Sequence, residues 1–539
     1  MNEKLYKCFS SDLDFSNIDH IIIGSGIGGL TTATWLARAG KKVAVFERHY
    51  VPGGFTHSFK RKKGFQWDVG VHYIGNVGQE GELRTLFDFL TDSKLEWESM
   101  GDVYDVAHID GITYEFKAGV EAFKKQLISY FPEEERAINA YLKLIKKATK
   151  MGGMFFFEKT FEPFLSKFIG WIIRKMYARY SQKTTLEVLS KITSNKRLIA
   201  VLCAQCGNYG LSPKYSSFAA HSMVINHFLE GGYYPKGGAN QICYKTIETL
   251  NSFGGIVYIN AEVTEIVTKK NRVKGIQIGD KFIECKSVIS NIGINNTFNY
   301  LLSKKARKRC KFDLKNVQPS SGHMCLYIGL NMSDKQLKLP KHNIWYFENE
   351  NIDENFNQNT LEKAVQKFIY ISFPSAKDPE WAKENPKTST IQAITIGRYD
   401  WFSKYENLPW MKRGETYNKI KKDFENQMLK KLYELLPQIK GHVVITEVSS
   451  PLSTKHFSNY KHGEIYGLAH DTNRFKLPFL RPETKIKGLR LVGQDITLVG
   501  VAGAMASGIL CATTILKFRV WKLFKEMNEL KNKNKLSKI

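Results

Sequence analysis

Short apolar runs alternate with amphipathic stretches along the chain, and the first few set its architecture. Ile21, Ile22 and Ile23 form a β-branched run suited to a strand buried on both faces. Gly24, Gly26, Gly28 and Gly29 follow, then a helix-compatible stretch ending at Gly40, then a second apolar strand from Val43 to Phe46. KRKKG reads as a turn, and Phe65 to Val69 returns as a strand. Residues 83–97 (with LRTLFDFL) predict a helix, and DVYDVAHID and ITYEF a hairpin about Asp110-Gly111. Helices are expected over 118–130, over 133–150 and within 158–210. Gly237-Gly238 opens another helix running to about Leu250, followed by strands to residue 293 that rejoin the first domain. HMCLYIGL (323–330), KFIYISFPS (367–375) and STIQAITIG (389–397) are strand candidates, with an Asn/Asp/Glu-rich surface loop at 349–359 between them. A charged helix spans Tyr417–Leu436, and HVVITEVSSP is a further strand. Residues 455–482 lack periodicity and read as a long loop beside a site. Leu489 to Val492 is the last strand, and Gly503 to Leu516 a small-residue helix.

Three stretches carry apolar residues in a pattern that bears on partners. Phe161, Phe164, Leu165, Phe168, Ile169, Ile172 and Met176 recur at spacings of three and four, with Lys167, Arg174 and Lys175 among them. A membrane-surface helix has this mixture, as does a helix over an apolar substrate tunnel or a core helix of a second domain. Leu498 to Leu516 is free of charge for 19 residues, the length of a membrane span. Its early run of Gly and Ala favours a buried helix packed against the first domain. In the tail (517–539), Val520, Leu523, Phe524, Met527 and Leu530 make one face, with eight Lys or Arg between Lys517 and Lys538. Such a helix suits an anionic surface or docking on its own domain.

At 539 residues the chain exceeds a single core, so two or three domains are expected. The formal net charge of +27 is compatible with anionic membranes, but the lysines are dispersed and no compact basic-aromatic module predicts specific nucleic-acid binding. The polar N-terminus MNEKLYKCFSSDLDFSN has no signal-peptide core, which predicts a cytoplasmic protein, peripheral on the inner face of a membrane. The eight cysteines do not form a disulfide framework, and the Cys203/Cys206 pair has no further ligands at zinc spacing, so no metal is expected.

The chemistry resides at residues 18–54. Strand, glycine turn, helix, strand and acid, in that order, define a dinucleotide site. Gly24 permits the turn, Gly26 the approach of a pyrophosphate and Gly29 close helix–strand packing, with phosphates at the helix N-terminus. Glu47, 21 positions after Gly26, stands where a carboxylate accepts ribose hydroxyls. The Gly53-Gly54 turn admits a close ligand, VISNIG ends a strand near it, and the backbone of Val263 is placed to meet an adenine. His72, just after the Phe65–Val69 strand, is either a strand cap or a group beside the cofactor.

The strings IIIGSGIGGLTTATWLARAGKKVAVFERHYVPGG, FQWDVGVHYIG, GGYYPKGGANQI, INAEVTEI and LVGQDITLVGVAGAMASGILCA resemble the flavin amine-oxidase superfamily. Within it they are most similar to the phytoene desaturase, carotenoid isomerase and retinol saturase group. The resemblance implies an α/β fold: a Rossmann-like FAD-binding domain of the GR2 type with a second α+β substrate-binding domain inserted discontinuously. The cofactor domain would comprise 18–98, 235–305 and 485–516, and the substrate domain 99–234 and 306–484. It also implies FAD at Gly24, Gly26, Gly28, Gly29, Glu47, Arg48, Gly53, Gly54, Val263, Asp495, Val501, Ala502 and Met505. His72 and Tyr234 are the candidate proton donors. The expected reaction is saturation of a double bond in an isoprenoid polyene, with external NAD(P)H or an unidentified electron donor as the reductant. Cis–trans isomerisation, desaturation, amine oxidation and a non-catalytic membrane flavoprotein are the alternatives.

Overall fold

The computed structural model describes residues 5–310 and 317–536. Residues 1–4, 311–316 and 537–539, which include parts of the expected N-terminal segment, second substrate segment and tail, lie outside the described residues. The β-branched run forms β1 (His20–Ile23), the glycine turn leads into α1 (Ile27–Arg38), and β2 (Val43–Phe46) returns beside β1. These strands belong to a six-stranded parallel sheet ordered 7–8, 256–259, β2, β1, 287–290 and 489–491. Ile21 and Ile22 are fully buried between its two covered faces. All carboxyl ends lie along one edge, and the strand order turns back at β1, which is where open α/β sheets bind ligands. Residues 265–284, expected among the strands that rejoin the first domain, make a separate three-stranded antiparallel layer and pack Ile266, Val273, Ile276 and Ile283 into one core with Ile21 and Ile23.

A seven-stranded sheet forms the second body. Its order is 443–449, β3 (Gly322–Leu330), β6 (Ser389–Gly397), β5 (Phe368–Ser372), β4 (Asn343–Phe347), 103–109 and 112–117. Strand alternation gives each face a different task. Met324, Leu326, Ile328, Ile369 and Ile371 pack with Phe424, Met428 and Leu432 of helix Glu415–Leu435. Trp345, Phe368 and Tyr370 face the other way, into a core completed by the helices of residues 120–228.

Several expectations change here. The 83–97 helix stops at Thr91, where Asp92 takes the left-handed conformation, and Trp97–Ser99 is a strand paired with 233–235. The 349–359 loop contains a helical turn, Ile352–Phe356, that buries Ile352 and Phe356 in the second core. It follows β4, a strand hidden from sequence inspection because only five residues separate two polar segments.

Helix α2 (Pro163–Ser181) buries Ile173 and Tyr177 and leaves its other side exposed. The stretch Gly500–Leu536 meets the length and mean hydropathy of a membrane span by composition alone. Its first half, α3 (Gly500–Leu516), lies along α1 so tightly that a Cβ on Gly508 would stand 2.6 Å from the Gly28 carbonyl. Small residues therefore serve helix contact in the cofactor-binding body. The second half, α4 (Val520–Leu536), buries Val520 and Leu523 and rests Phe524, Met527 and Leu530 on the same core. Docking on its own domain accounts for the apolar face of the tail.

Candidate active site

A cavity of about 630 Å³ begins at the carboxyl edge of the parallel sheet and continues to the inner face of the second sheet. Of the residues expected around the cofactor, Gly24, Gly26, Gly28, Glu47, Arg48, Gly53, Gly54, Val263, Asp495 and Val501 line it, and so does His72. Gly24 has φ +93°, which a side chain would strain. Gly26 caps α1 without a side-chain hydrogen bond, and the first turn carries no acid. The N–H groups of that turn thus present a partial positive charge to the cavity. Glu47 receives Ser25 N (2.9 Å) and Ser25 Oγ (2.7 Å) on one oxygen and His49 N (2.9 Å) on the other. The oxygen that receives only His49 N retains acceptor capacity for a hydroxyl. A backbone open to phosphates and a carboxylate at the end of β2 fit the diphosphate and ribose of a dinucleotide.

Gly29 does not line the cavity. A Cβ there would stand 2.3 Å from the Gly24 carbonyl, so this glycine lets the helix close on the turn. Ala502 and Met505 turn away into an apolar cluster with Ile27 and Val71, while Val501 and Ala504 of the same helix reach the cavity. Arg48 donates to the His456 carbonyl and lies 3.7 Å from Glu262, so it braces the mouth. Asp495 accepts Leu468 N at 2.9 Å and Ile294 N at 2.8 Å, joining three segments at the cavity floor.

Tyr234 is displaced from the site. Its hydroxyl bonds the buried Asp68 carboxylate, which also accepts Ala239 N at 3.1 Å, and Tyr234 does not line the main cavity. Alternation along Gly232–Pro235 turns its side chain toward this packing cluster. His72 faces the cavity, yet burial, then the Lys377 cation, holds its imidazole down to about 3. It is therefore neutral at physiological pH, and a proton donated from it would come from a neutral imidazole N–H.

Sequence reasoning missed the groups at the far end. His323, Trp345, Phe356, Phe368, Tyr370, Ile394, Ile396 and Tyr466 wall a largely apolar chamber. Pairing of β3 with β6, and of β5 with both β6 and β4, brings most of these to one sheet face. The period-2 pattern was visible, but the pairing that decides which face is buried was not. Behind the wall, Lys377 donates to His72 O (2.9 Å), Ser372 Oγ (2.8 Å) and Asn343 Oδ1. Asn343 in turn donates to Asp105 (2.9 Å), which also accepts from Tyr73 at 2.8 Å. Burial pushes Asp105 up to about 6 and Lys377 down to about 7. Also missed was Asn291, whose amide spans the Gly24 and Gly26 carbonyls at 3.3 and 3.2 Å.

Fold and site together define an oxidoreductase built on a dinucleotide-binding sheet. Residues 22–90 match the NAD(P)-binding Rossmann-like domain family. An oxidoreductase from Methanosarcina mazei shares the fold at TM-score 0.58 and 18% identity, over 91% of this chain and 99% of its own. Cyclohexylamine oxidase from Brevibacterium oxydans does so at 0.59 and 13%, over 96% and 100%. The all-trans-retinol 13,14-reductase of Danio rerio is 32% identical over 99% of this chain and 92% of its own length. A second Danio rerio relative, an inactive all-trans-retinol 13,14-reductase, is 30% identical over 95% and 88%. The chain belongs to the all-trans-retinol 13,14-reductase family.

Proposed function

We propose that this protein binds FAD along the edge formed by β1, α1 and β2 and saturates a carbon–carbon double bond of an isoprenoid polyene related to retinol or the carotenoids. The observation that carries this reading is the continuity of the cavity, from the glycine cradle directly into an aromatic and aliphatic chamber. FAD, when bound, supplies hydride-transfer chemistry. The chain's own residues hold its phosphates and ribose, keep the reacting region dry, and align an extended apolar substrate against the sheet wall. NAD(P)H is the proposed external reductant. Segments 18–98, 235–305 and 485–516 make the cofactor-binding body in this reading, and 99–234 with 306–484 the substrate body.

The test is anaerobic. Flavin-loaded protein, once reduced, is mixed with all-trans-retinol in detergent while flavin absorbance and product mass are followed. Saturation predicts reoxidation with a product heavier by H₂. An altered isomer profile at constant mass would overturn saturation in favour of isomerisation, and no change in either would remove polyenes as substrates.

We also propose peripheral attachment to an anionic membrane on its cytoplasmic face. Phe164 of α2 is 71% exposed, and Phe168, Trp171 and Ile172 are more than half exposed beside it. At the junction of α3 and α4, Phe518 (87%) and Trp521 (63%) project outward, and Lys517 reaches Glu162 at the start of α2 (3.0 Å). Exposed aromatic side chains interleaved with Lys167, Lys175, Arg519 and Lys522 suit the headgroup boundary. Protein carrying Phe164→Glu, Phe168→Glu and Ile172→Glu together is expected to cosediment about tenfold less with phosphatidylserine-containing vesicles, while retaining its flavin. Unchanged sedimentation would dismiss this face.

A further inference from the structure

Beside Trp345 Nε1, three buried polar atoms in the chamber wall have no hydrogen-bond partner among the described residues: His72 Nδ1, His323 Nδ1 and the Tyr370 hydroxyl. All three residues line the cavity. His323 pairs with Ile396 and Tyr370 with Ile394, two positions apart on β6, which sets them on one sheet face. The His72 ring stands edge-on to Tyr370 with centroids 5.3 Å apart. Burying unpaired polar groups is costly, and proteins retain them mainly where a ligand or water completes them. A hydrocarbon filling this chamber would leave them unsatisfied.

We infer that this end of the chamber is a subsite for an uncharged hydroxyl at the terminus of the polyene, with His72, His323 and Tyr370 as its partners. The inference rests on the polyene reading above and narrows it to alcohols. A hydroxyl offers one donor and two acceptor sites, which a phenol and two neutral imidazoles complement when at least one Nδ1 carries its proton. Burial holds His323 down to about 4, as it holds His72 lower still, so both rings are uncharged at physiological pH. The nearby Lys377 is already engaged with His72 O, Ser372 and Asn343. A carboxylate entering here would thus be buried without a free cation, and the subsite discriminates against acids as well as hydrocarbons.

The experiment is equilibrium binding to oxidised, flavin-loaded protein, read by quenching of tryptophan fluorescence. The probes are all-trans-retinol, all-trans-retinoic acid and axerophthene, in which a methyl replaces the hydroxymethyl group. Retinol is expected to bind at least about tenfold more tightly than either of the others. Tyr370→Phe and His323→Phe should each weaken retinol toward the hydrocarbon value, leave axerophthene binding and flavin content unchanged, and cause no loss of melting temperature. Equal binding of retinol and axerophthene by the unmodified protein, or variants that weaken both alike, would overturn the subsite while sparing the polyene reading. Failure of all three probes to bind would overturn both.

Discussion

Arg474→Met is expected to lower the melting temperature sharply and to strip the protein of its flavin on gel filtration. Arg474 is almost fully buried, yet it serves the cavity floor through backbone oxygens. It donates to Leu468 O at 3.1 Å and to Gln494 O, Asp495 O and Thr497 O at 2.6, 2.8 and 2.9 Å. Burial pulls the guanidinium down to about 10 against the opposing effect of the Asp495 and Asp471 carboxylates, so it remains charged at neutral pH. Methionine replaces much of the stem but none of the donors. Four carbonyls would then be left in a low-dielectric interior at about 1–3 kcal/mol each, several kcal/mol in all. Since Gln494 and Asp495 line the cavity, the loss should register in both stability and cofactor retention. Arg474→Lys should rescue partially, because an ammonium has fewer donors and no planar fork. Wild-type melting and flavin content in Arg474→Met would refute the clamp.

Lys377→Met is expected to flatten the alkaline limb of the stability profile. In the folded protein burial brings this lysine from 10.5 to about 7, with Asp105 and Asp68 opposing the shift. Between pH 7 and 10.5 the unfolded chain therefore binds more protons at this position than the folded chain, and the contribution of Lys377 to stability rises with pH across that window. Below pH 7 both states are protonated, and the penalty of the buried charge is present in full. A shift of this size corresponds to about 5 kcal/mol as an upper bound. The variant also loses three hydrogen bonds, which lowers its stability at every pH. Denaturant melts of both proteins from pH 6 to 10 separate the effects. The wild type should gain on the variant as pH rises, and parallel curves would show that Lys377 does not titrate in that range.

The cofactor half of the site was legible because its chemistry is local. Gly24, Gly26, Glu47 and the flanking strands lie within one βαβ unit, where spacing alone fixes their relation. Asn291 and Arg474 act on the same cradle from far along the chain, and no local pattern marks them. Strands β3, β5 and β6 were evident as apolar runs, but β4 was not. Without it, Trp345 and Tyr370 had no face to share. Tyr234 was misplaced because a tyrosine beside a glycine turn resembles a site residue until Asp68 is seen accepting its hydroxyl. Lys377 gave no signal at all, since its importance comes from three oxygens contributed by separate segments.

The parallel sheet draws its strands from both ends of the chain and from its middle, and this imposes an order in time. During synthesis β1 and β2 emerge early, but the strand at 489–491 and α3, which covers α1, emerge only after the whole of the second sheet. For most of translation the apolar flank of α1 and one edge of the nascent sheet stay unpaired, in the kind of state that aggregates or engages chaperones. Sequence-distant contacts of this type slow folding as well. Competence to capture the cofactor is thus deferred until α3 has been made and closes over the glycine turn.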